Sequence, residues 1–265
     1  MAQGKGPGRV LAVDVGNTTT SLGLFASGGS AVDEPLGTWE VSTPERLTTD
    51  EASIVLHQLM EGELPVAGAI LSCVVPVLSE VWACALGRAC QGRPLVVGPG
   101  LRTGLPMRYH DPSEIGPDRI ADAVAARERQ GAPVVAVDLG TTLNLEVVGA
   151  DGAFVGGLIA LGLALGAQSL SQRAARLPMI ELTVPAAVIG RSTREAMLSG
   201  VVFGEVARLD GLLDRVLAEL GEPAPIVLTG DRASRMARLI GHEVIVDETL
   251  TLRGLHQLYL LNKRK

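Results

Sequence analysis

The 265-residue sequence predicts an α/β protein made of two related halves, each a mixed sheet flanked by helices, and three observations carry that prediction. Residues 10–25, VLAVDVGNTTTSLGLF, read as a buried strand that ends on Asp14, a turn at Gly16-Asn17-Thr18, and a second strand over 19–25 returning beside the first. The segment Val137-Asp138-Leu139-Gly140-Thr141-Thr142 repeats Val13-Asp14-Val15-Gly16-Asn17-Thr18, again after an apolar run and again before a strand-like stretch that closes at Ala150-Asp151-Gly152. Finally, 47% hydrophobic and 20% charged residues allow a large core, and this length divides naturally into two domains of about 100 to 150 residues, placed here at 1–117 and 118–265.

In the first half, 37–42 reads as a third strand, 49–60 as an amphipathic helix, and 67–75 as a fully buried strand. Pro76 suits a first helical turn, which starts a helix running to about Ala89, and 94–97 is a short strand after it. Residues 98–119, GPGLRTGLPMRYHDPSEIGPDR, mix glycine, proline and charge without a period. A loop this long with many ionisable groups is expected to be functional. Periodicity returns at Ile120 with a helix to Gln130, and strands over 134–137, 143–148 and 154–159 repeat the meander. Helices at 164–175 and 192–220, a strand at 225–229, a helix at 232–240, a strand at 243–246 and a closing helix at 250–262 complete the same order of elements.

Composition excludes several classes of function. A net charge of -6 argues against a nucleic-acid surface, and 3% aromatic residues are too few for base-stacking platforms. The three cysteines, Cys73, Cys84 and Cys90, have no CxxC spacing and read as reduced thiols of a cytoplasmic protein; the four histidines show no ligand spacing. The Gly-rich head 1–9 lacks the apolar core of a signal peptide, and Lys263-Arg264-Lys265 reads as a solvated basic tail. The greasiest run, 154–167, is broken by four glycines and falls short of a bilayer span of about 20 residues, so no membrane partner is expected.

The first turn suggests its own chemistry. Gly16 lets backbone approach a ligand, Asn17 tolerates a left-handed conformation, and Thr18, Thr19 and Thr20 offer hydroxyls beside exposed amides, which suits the phosphates of a nucleotide. Asp14 would face the accompanying metal ion. The plainer alternative is a hairpin with an aspartate at its mouth. Two such halves with a nucleotide between them are the arrangement of actin, sugar kinases and heat-shock chaperone ATPases, whose domains are RNase H-like.

More specific motifs follow along nearly the whole chain. They are Asp14-Val15-Gly16-Asn17-Thr18, Ser72-Cys73-Val74-Val75-Pro76, Thr103-Gly104-Leu105-Pro106 with Tyr109, Gly116-Pro117-Asp118-Arg119 and Asp138-Leu139-Gly140-Thr141. After them come Asp151-Gly152, Gly156-Gly157, Ile189-Gly190-Arg191-Ser192-Thr193, and Leu252-Arg253-Gly254-Leu255 with Tyr259 and Asn262. In order and spacing the chain resembles the type III pantothenate kinases. The resemblance implies transfer of the γ-phosphoryl group of ATP to the primary hydroxyl of pantothenate, with Mg2+ accompanying ATP and a monovalent cation, potassium or ammonium, as cofactor. It implies that Asp14, Val15, Gly16, Asn17, Thr18, Thr19, Thr20 and Ser21 cradle the phosphates and that Thr141 touches ATP. It further implies Asp118 as catalytic base, Tyr109, Gly116, Pro117, Arg119 and Thr193 as pantothenate contacts beside it, and Asp138 as the cation ligand. Read singly, Asp118 is equally an acid at a helix N-terminus, Arg119 a surface ion pair, Tyr109 a packed aromatic and Thr193 a helix cap. A homodimer is implied, with the long helix after Thr193 as interface.

The chain departs from the family pattern where threonines give way to Leu143 and Asn144, an aspartate to Glu146, a proline to Leu161, an alanine to Pro117 and a glycine to Asp231. These changes keep open a non-catalytic accessory regulator of transcription on the same fold, and a sugar or other small-molecule kinase.

Overall fold

The structure, a computed structural model, describes residues 8–28, 34–90, 92–173 and 177–263. The first sheet contains β1 (Arg9–Val15), β2 (Thr19–Ala26), β3 (Gly37–Ser42), β4 (Gly68–Cys73) and β5 (Leu95–Val96) in the order β3-β2-β1-β4-β5. The second contains β6 (Val134–Leu139), β7 (Thr142–Val148), β8 (Phe154–Leu161), β9 (Ile226–Thr229) and β10 (Ile245–Val246) in the order β10-β9-β6-β7-β8. Read from opposite edges the two orders are the same, and the duplication seen in the sequence is a duplication of topology. In both, the opening strands pair antiparallel (β1 with β2, β6 with β7) and the later ones join in parallel (β1 with β4, β6 with β9).

The helices start and stop where local chemistry dictates. Helix α1 (Thr49–Leu59) opens on a capping box in which Thr48 accepts from the Glu51 amide and Glu51 accepts from the Thr48 amide. Pro76 opens α2 (Pro76–Ala89) and Pro117 opens α3 (Pro117–Gln130), positions where the missing N–H costs nothing. Helix α4 covers Leu163–Arg173, and α5 (Thr193–Leu220) runs from a Ser192 cap to Gly221, left-handed at φ 75. Helix α6 is a single turn, Ala233–Met236, shorter than the expected 232–240, because the chain after it passes into turns. Strands β5 and β10 are likewise trimmed to two residues each. The closing helix is α7 (Leu250–Asn262). Residues 174–175 of the expected fourth helix, 1–7 of the head and 264–265 of the tail lie outside the described residues. Lys263 is tied down, its Nζ donating to the Ser27 carbonyl at 3.0 Å. Among the described residues no helix is long and apolar enough to cross a membrane.

By packing, the described residues form two units: Met1–Gly131 with Gly152–Phe154 and Thr249–Lys265, and Ala132–Asp151 with Val155–Glu248. Helices α3 and α7 and the turn before β8 therefore belong with the first sheet, and the two units interleave along the chain. In the first unit Leu11, Val13 and Val15 of β1 face a core shared with Leu22, Leu71, Leu56 and Trp82, while α7 lies along β1 and against α3. Gly254 permits that last contact, and Thr251 locks it by donating to Asp122 of α3 at 2.7 Å. In the second unit Val135, Val137, Leu143, Leu145 and Leu228 pack on Leu209 and Leu213 of α5.

Candidate active site

At the end of β1 the strand registers set a polar row: Asp14 pairs with Ser21 on β2 and with Ser72 on β4, and Ser21 pairs with Glu40 on β3. Paired residues share a face, so these side chains line one edge of the first sheet. The turn that follows is tight. The Gly16 amide donates to the Thr19 carbonyl at 2.9 Å, and a Cβ on Gly16 would sit 3.0 Å from that oxygen, which is why glycine stands there. Asn17 and Thr18 are exposed, Thr19 and Ser21 half-buried, Val15 buried. Thr20 is buried, and its hydroxyl shares a 2.8 Å hydrogen bond with Thr43, so it braces the loop from beneath. Cys73, beside Val15 in the register, donates to the Val75 carbonyl, and burial pushes its thiol up, away from thiolate chemistry.

The second candidate group is the first turn of α3. The helix begins at Pro117, three residues earlier than the apolar period suggests, so Asp118 and Arg119 are helical residues and not the end of a loop. Asp118 Oδ1 accepts from the Arg119 amide at 2.8 Å, and a Cβ on Gly116 would stand 2.4 Å from that oxygen. Gly116 is therefore the residue that lets the carboxylate fold back over the helix start. Burial pushes the Asp118 carboxyl above the ordinary carboxylate range, and the amide bonds and the Arg119 charge pull it part of the way back. Arg119 is only 6% exposed, with its guanidinium carbon 5.9 Å from the centroid of the Phe154 ring. Tyr109 meets the same ring at 5.9 Å between centroids, tilted by 59°. The loop carrying Tyr109 is pinned at its start by Asn262, whose side chain bonds both the amide and the carbonyl of Arg102.

In the second unit Asp138 is the last but one residue of β6 as Asp14 is of β1, but the turn after it is one residue shorter: the Gly140 amide donates to the Thr142 carbonyl, two residues on. The Asp138 carboxylate lies in a cradle of bare backbone. A Cβ on Gly230 (φ +93) would meet Asp138 Oδ1 at 2.8 Å, and one on Gly140 would meet Oδ2 at 3.3 Å. Gly162 donates to the Thr141 carbonyl at 3.1 Å, and a Cβ there would stand 2.4 Å from the carbonyl oxygens of both Gly140 and Thr141. The carbonyl of half-buried Thr141 is thus held close against Gly162. Thr193 is the first residue of α5 and exposed; Ser192, accepting from the Glu195 amide, is the cap.

The departures from the family pattern now have places. Leu143 packs in the core of the second unit, so its methyls replace a hydroxyl that would point inward. Asn144 sits opposite Asp138 in the register, 6% exposed, its Oδ1 buried and without a hydrogen-bond partner. Glu146 is fully buried opposite Ala136 on the same face. Of the two residues after Thr229, the glycine with positive φ that touches Asp138 is retained, and Asp231 is exposed. Ser72, Thr43 and Phe154 were not among the predicted site residues. The first could have been found from the register implied by the parallel strand, the others from nothing local.

A sequence profile of the type III pantothenate kinases matches residues 10–215. The type III pantothenate kinase of Moorella thermoacetica is 37% identical over 96% of this chain and 99% of its own length, and that of Myxococcus xanthus is 40% identical over 94% and 97%. Among solved structures, a putative Baf family transcriptional activator from Campylobacter jejuni superposes with TM-score 0.58 at 17% identity, covering 94% of this chain and 96% of its own. The (R)-2-hydroxyglutaryl-CoA dehydratase component A of Acidaminococcus fermentans does so with TM-score 0.52 at 14% identity over 95% and 96%. At such identities these two show the fold alone, the duplicated RNase H-like fold of actin-like ATPases. With matching order of motifs, a profile match over most of its length and relatives alike from end to end, the chain belongs to the type III pantothenate kinase family.

Proposed function

We propose that this protein transfers the γ-phosphoryl group of ATP to the primary hydroxyl of pantothenate, giving 4'-phosphopantothenate and ADP, the first step towards coenzyme A. In this family the observation that carries the assignment is the first turn of α3, where a carboxylate, held by the next residue's amide over a bare glycine, stands beside a buried arginine. As the hydroxyl oxygen bonds to phosphorus and the bond to the β,γ-bridging oxygen breaks, Asp118 takes the hydroxyl proton and ADP leaves with the bridging oxygen. Burial raises the proton affinity of Asp118, which favours taking up the hydroxyl proton. Arg119 and Tyr109 bind the pantothenate carboxylate and backbone, with Gly116, Pro117 and Thr193 as further contacts, and the segment from Asp14 to Ser21, with Asn17 and Thr18 exposed at its turn, and Thr141 receive the nucleotide. The accessory-regulator reading is not favoured, since the likeness to a putative activator extends only to fold. A coupled assay with ATP, Mg2+, K+ and pantothenate tests the assignment: ADP release that depends on pantothenate is expected, and its absence from a folded preparation under a range of cations would overturn it.

Two ions belong to this reading. Asp14, a carboxylate near the end of β1, would contribute one hard oxygen to the Mg2+ that accompanies ATP. The Asp138 cradle fits a monovalent cation, with the buried Asn144 Oδ1 as a second oxygen from the facing strand. Such an ion would supply positive charge to offset that of the phosphates. Activity is expected to rise with potassium or ammonium over sodium and to lose that response in Asp138→Asn; equal rates in the three salts would remove the role. Gly116→Ala is expected to cut kcat by about tenfold or more with little change in melting temperature, because the new methyl displaces the Asp118 carboxylate. An unchanged kcat would show that the carboxylate need not lie there. A homodimer through α5 and a cytoplasmic location complete the reading; a monomeric mass by sedimentation at micromolar concentration would remove the first.

A further inference from the structure

We infer that Phe154 is a positioning residue for substrate binding: its ring fixes the plane of the Arg119 guanidinium and the seat of Tyr109, and so sets affinity for the carboxylate of pantothenate. The inference rests on the substrate roles proposed for those two residues. Phe154 is fully buried and belongs to the first packing unit although β8 continues into the second. Its backbone is clamped to the substrate loop on both sides, its amide donating to the Pro106 carbonyl and its carbonyl accepting from the Arg108 amide, each at 2.8 Å, with Met107 bridged alongside. Arg127 of α3 ties the same two segments together, its Nη1 donating to Gly104 at 2.9 Å and to Gly152 at 3.3 Å. The ring is therefore fixed from both segments and from the helix, and it meets both substrate candidates at 5.9 Å. A guanidinium within about 6 Å of a ring centroid is held face-on by the ring quadrupole, and a planar fork whose plane is fixed loses less freedom on gripping a carboxylate. A side chain that served only as core filler could be any apolar group of the same volume. This one carries an arginine.

The test is a double-mutant cycle on kinetics. Phe154→Leu and Phe154→Met keep most of the volume and remove the ring face, and Arg119→Lys keeps the charge but not the planar fork. Either replacement of Phe154 is expected to raise KM for pantothenate about five- to tenfold, with kcat and KM for ATP within about twofold. In the Arg119→Lys background the same replacement should add less than about twofold, because the partner it acts through is gone. Equal effects in both backgrounds, a fall in kcat with KM unchanged, or failure of both Phe154 replacements to fold would each overturn the inference and leave the ring as core. Loss of pantothenate turnover in the unmodified protein would instead overturn the functional assignment, so the two failures are distinguishable.

Discussion

Asp118→Asn is expected to lower kcat by about 10² to 10⁴-fold, about 3 to 5 kcal/mol of transition-state stabilisation, while pantothenate binding measured by calorimetry changes little. The asparagine oxygen can still accept from the Arg119 amide, so the helix start is kept, but the group cannot take a proton. The pH dependence follows the same carboxyl. Burial raises it above the ordinary range, so kcat should climb as pH rises through that raised value and level off above it. For stability the sign is opposite. A group whose proton affinity is raised by folding contributes fully below its unfolded pKa of about 3.9, and that contribution is lost as pH rises through the folded value. Asp118→Asn escapes the loss, so it should melt no lower than the parent at neutral pH and show no advantage in strong acid. Near-normal kcat in Asp118→Asn would reduce the residue to an acid at a helix N-terminus.

Gly254→Ala should destabilise the first unit by about 3 kcal/mol, the upper end of what overpacking costs. A Cβ at 254 would stand 2.0 Å from the Ala121 carbonyl oxygen and 2.5 Å from its carbon, and both partners are helix backbone, on α7 and α3. Neither can swing aside as a side chain tip can, so the helices must part. With about 2 to 4 °C per kcal/mol for a chain of this size, the melting temperature should fall by about 6 to 12 °C. Gly87→Ala on α2, where the new methyl would meet only Pro94 Cδ at an ordinary 3.8 Å, is the control and should melt at or slightly above the parent. Equal melting of the two variants would mean that α3 and α7 are not in the contact described.

The order of elements along the chain and the two aspartates were legible because both signals are local. An apolar run ending in Asp and a glycine turn appears twice, and the same β3-β2-β1-β4-β5 pattern returns in the second sheet. The start of α3 was misplaced to Ile120 because Asp118 and Arg119 break the apolar period, although Gly116-Pro117 is itself a start signal of the kind that opens α2 at Pro76. The shortening of the second turn was hidden by motif similarity, since Asp138-Leu139-Gly140-Thr141 reads like Asp14-Val15-Gly16-Asn17 until the register shows Asp138 opposite Asn144 and Asp14 opposite Ser21. Thr20 looks like any other hydroxyl of its run, yet Thr43, the residue just after β3, shares its hydrogen bond. Phe154 and Gly254 act through contacts with residues 35 and more than 100 positions away, which no spacing along the chain encodes.

The central claim is that the phosphoryl group goes to the hydroxyl of pantothenate and that the first turn of α3 organises the transfer. Mass spectrometry and phosphorus NMR of the product from ATP and pantothenate measure this directly. A single phosphomonoester on the primary carbon, formed in step with ADP and nearly absent with Asp118→Asn, is the predicted result. ADP and inorganic phosphate with pantothenate left unmodified would contradict it.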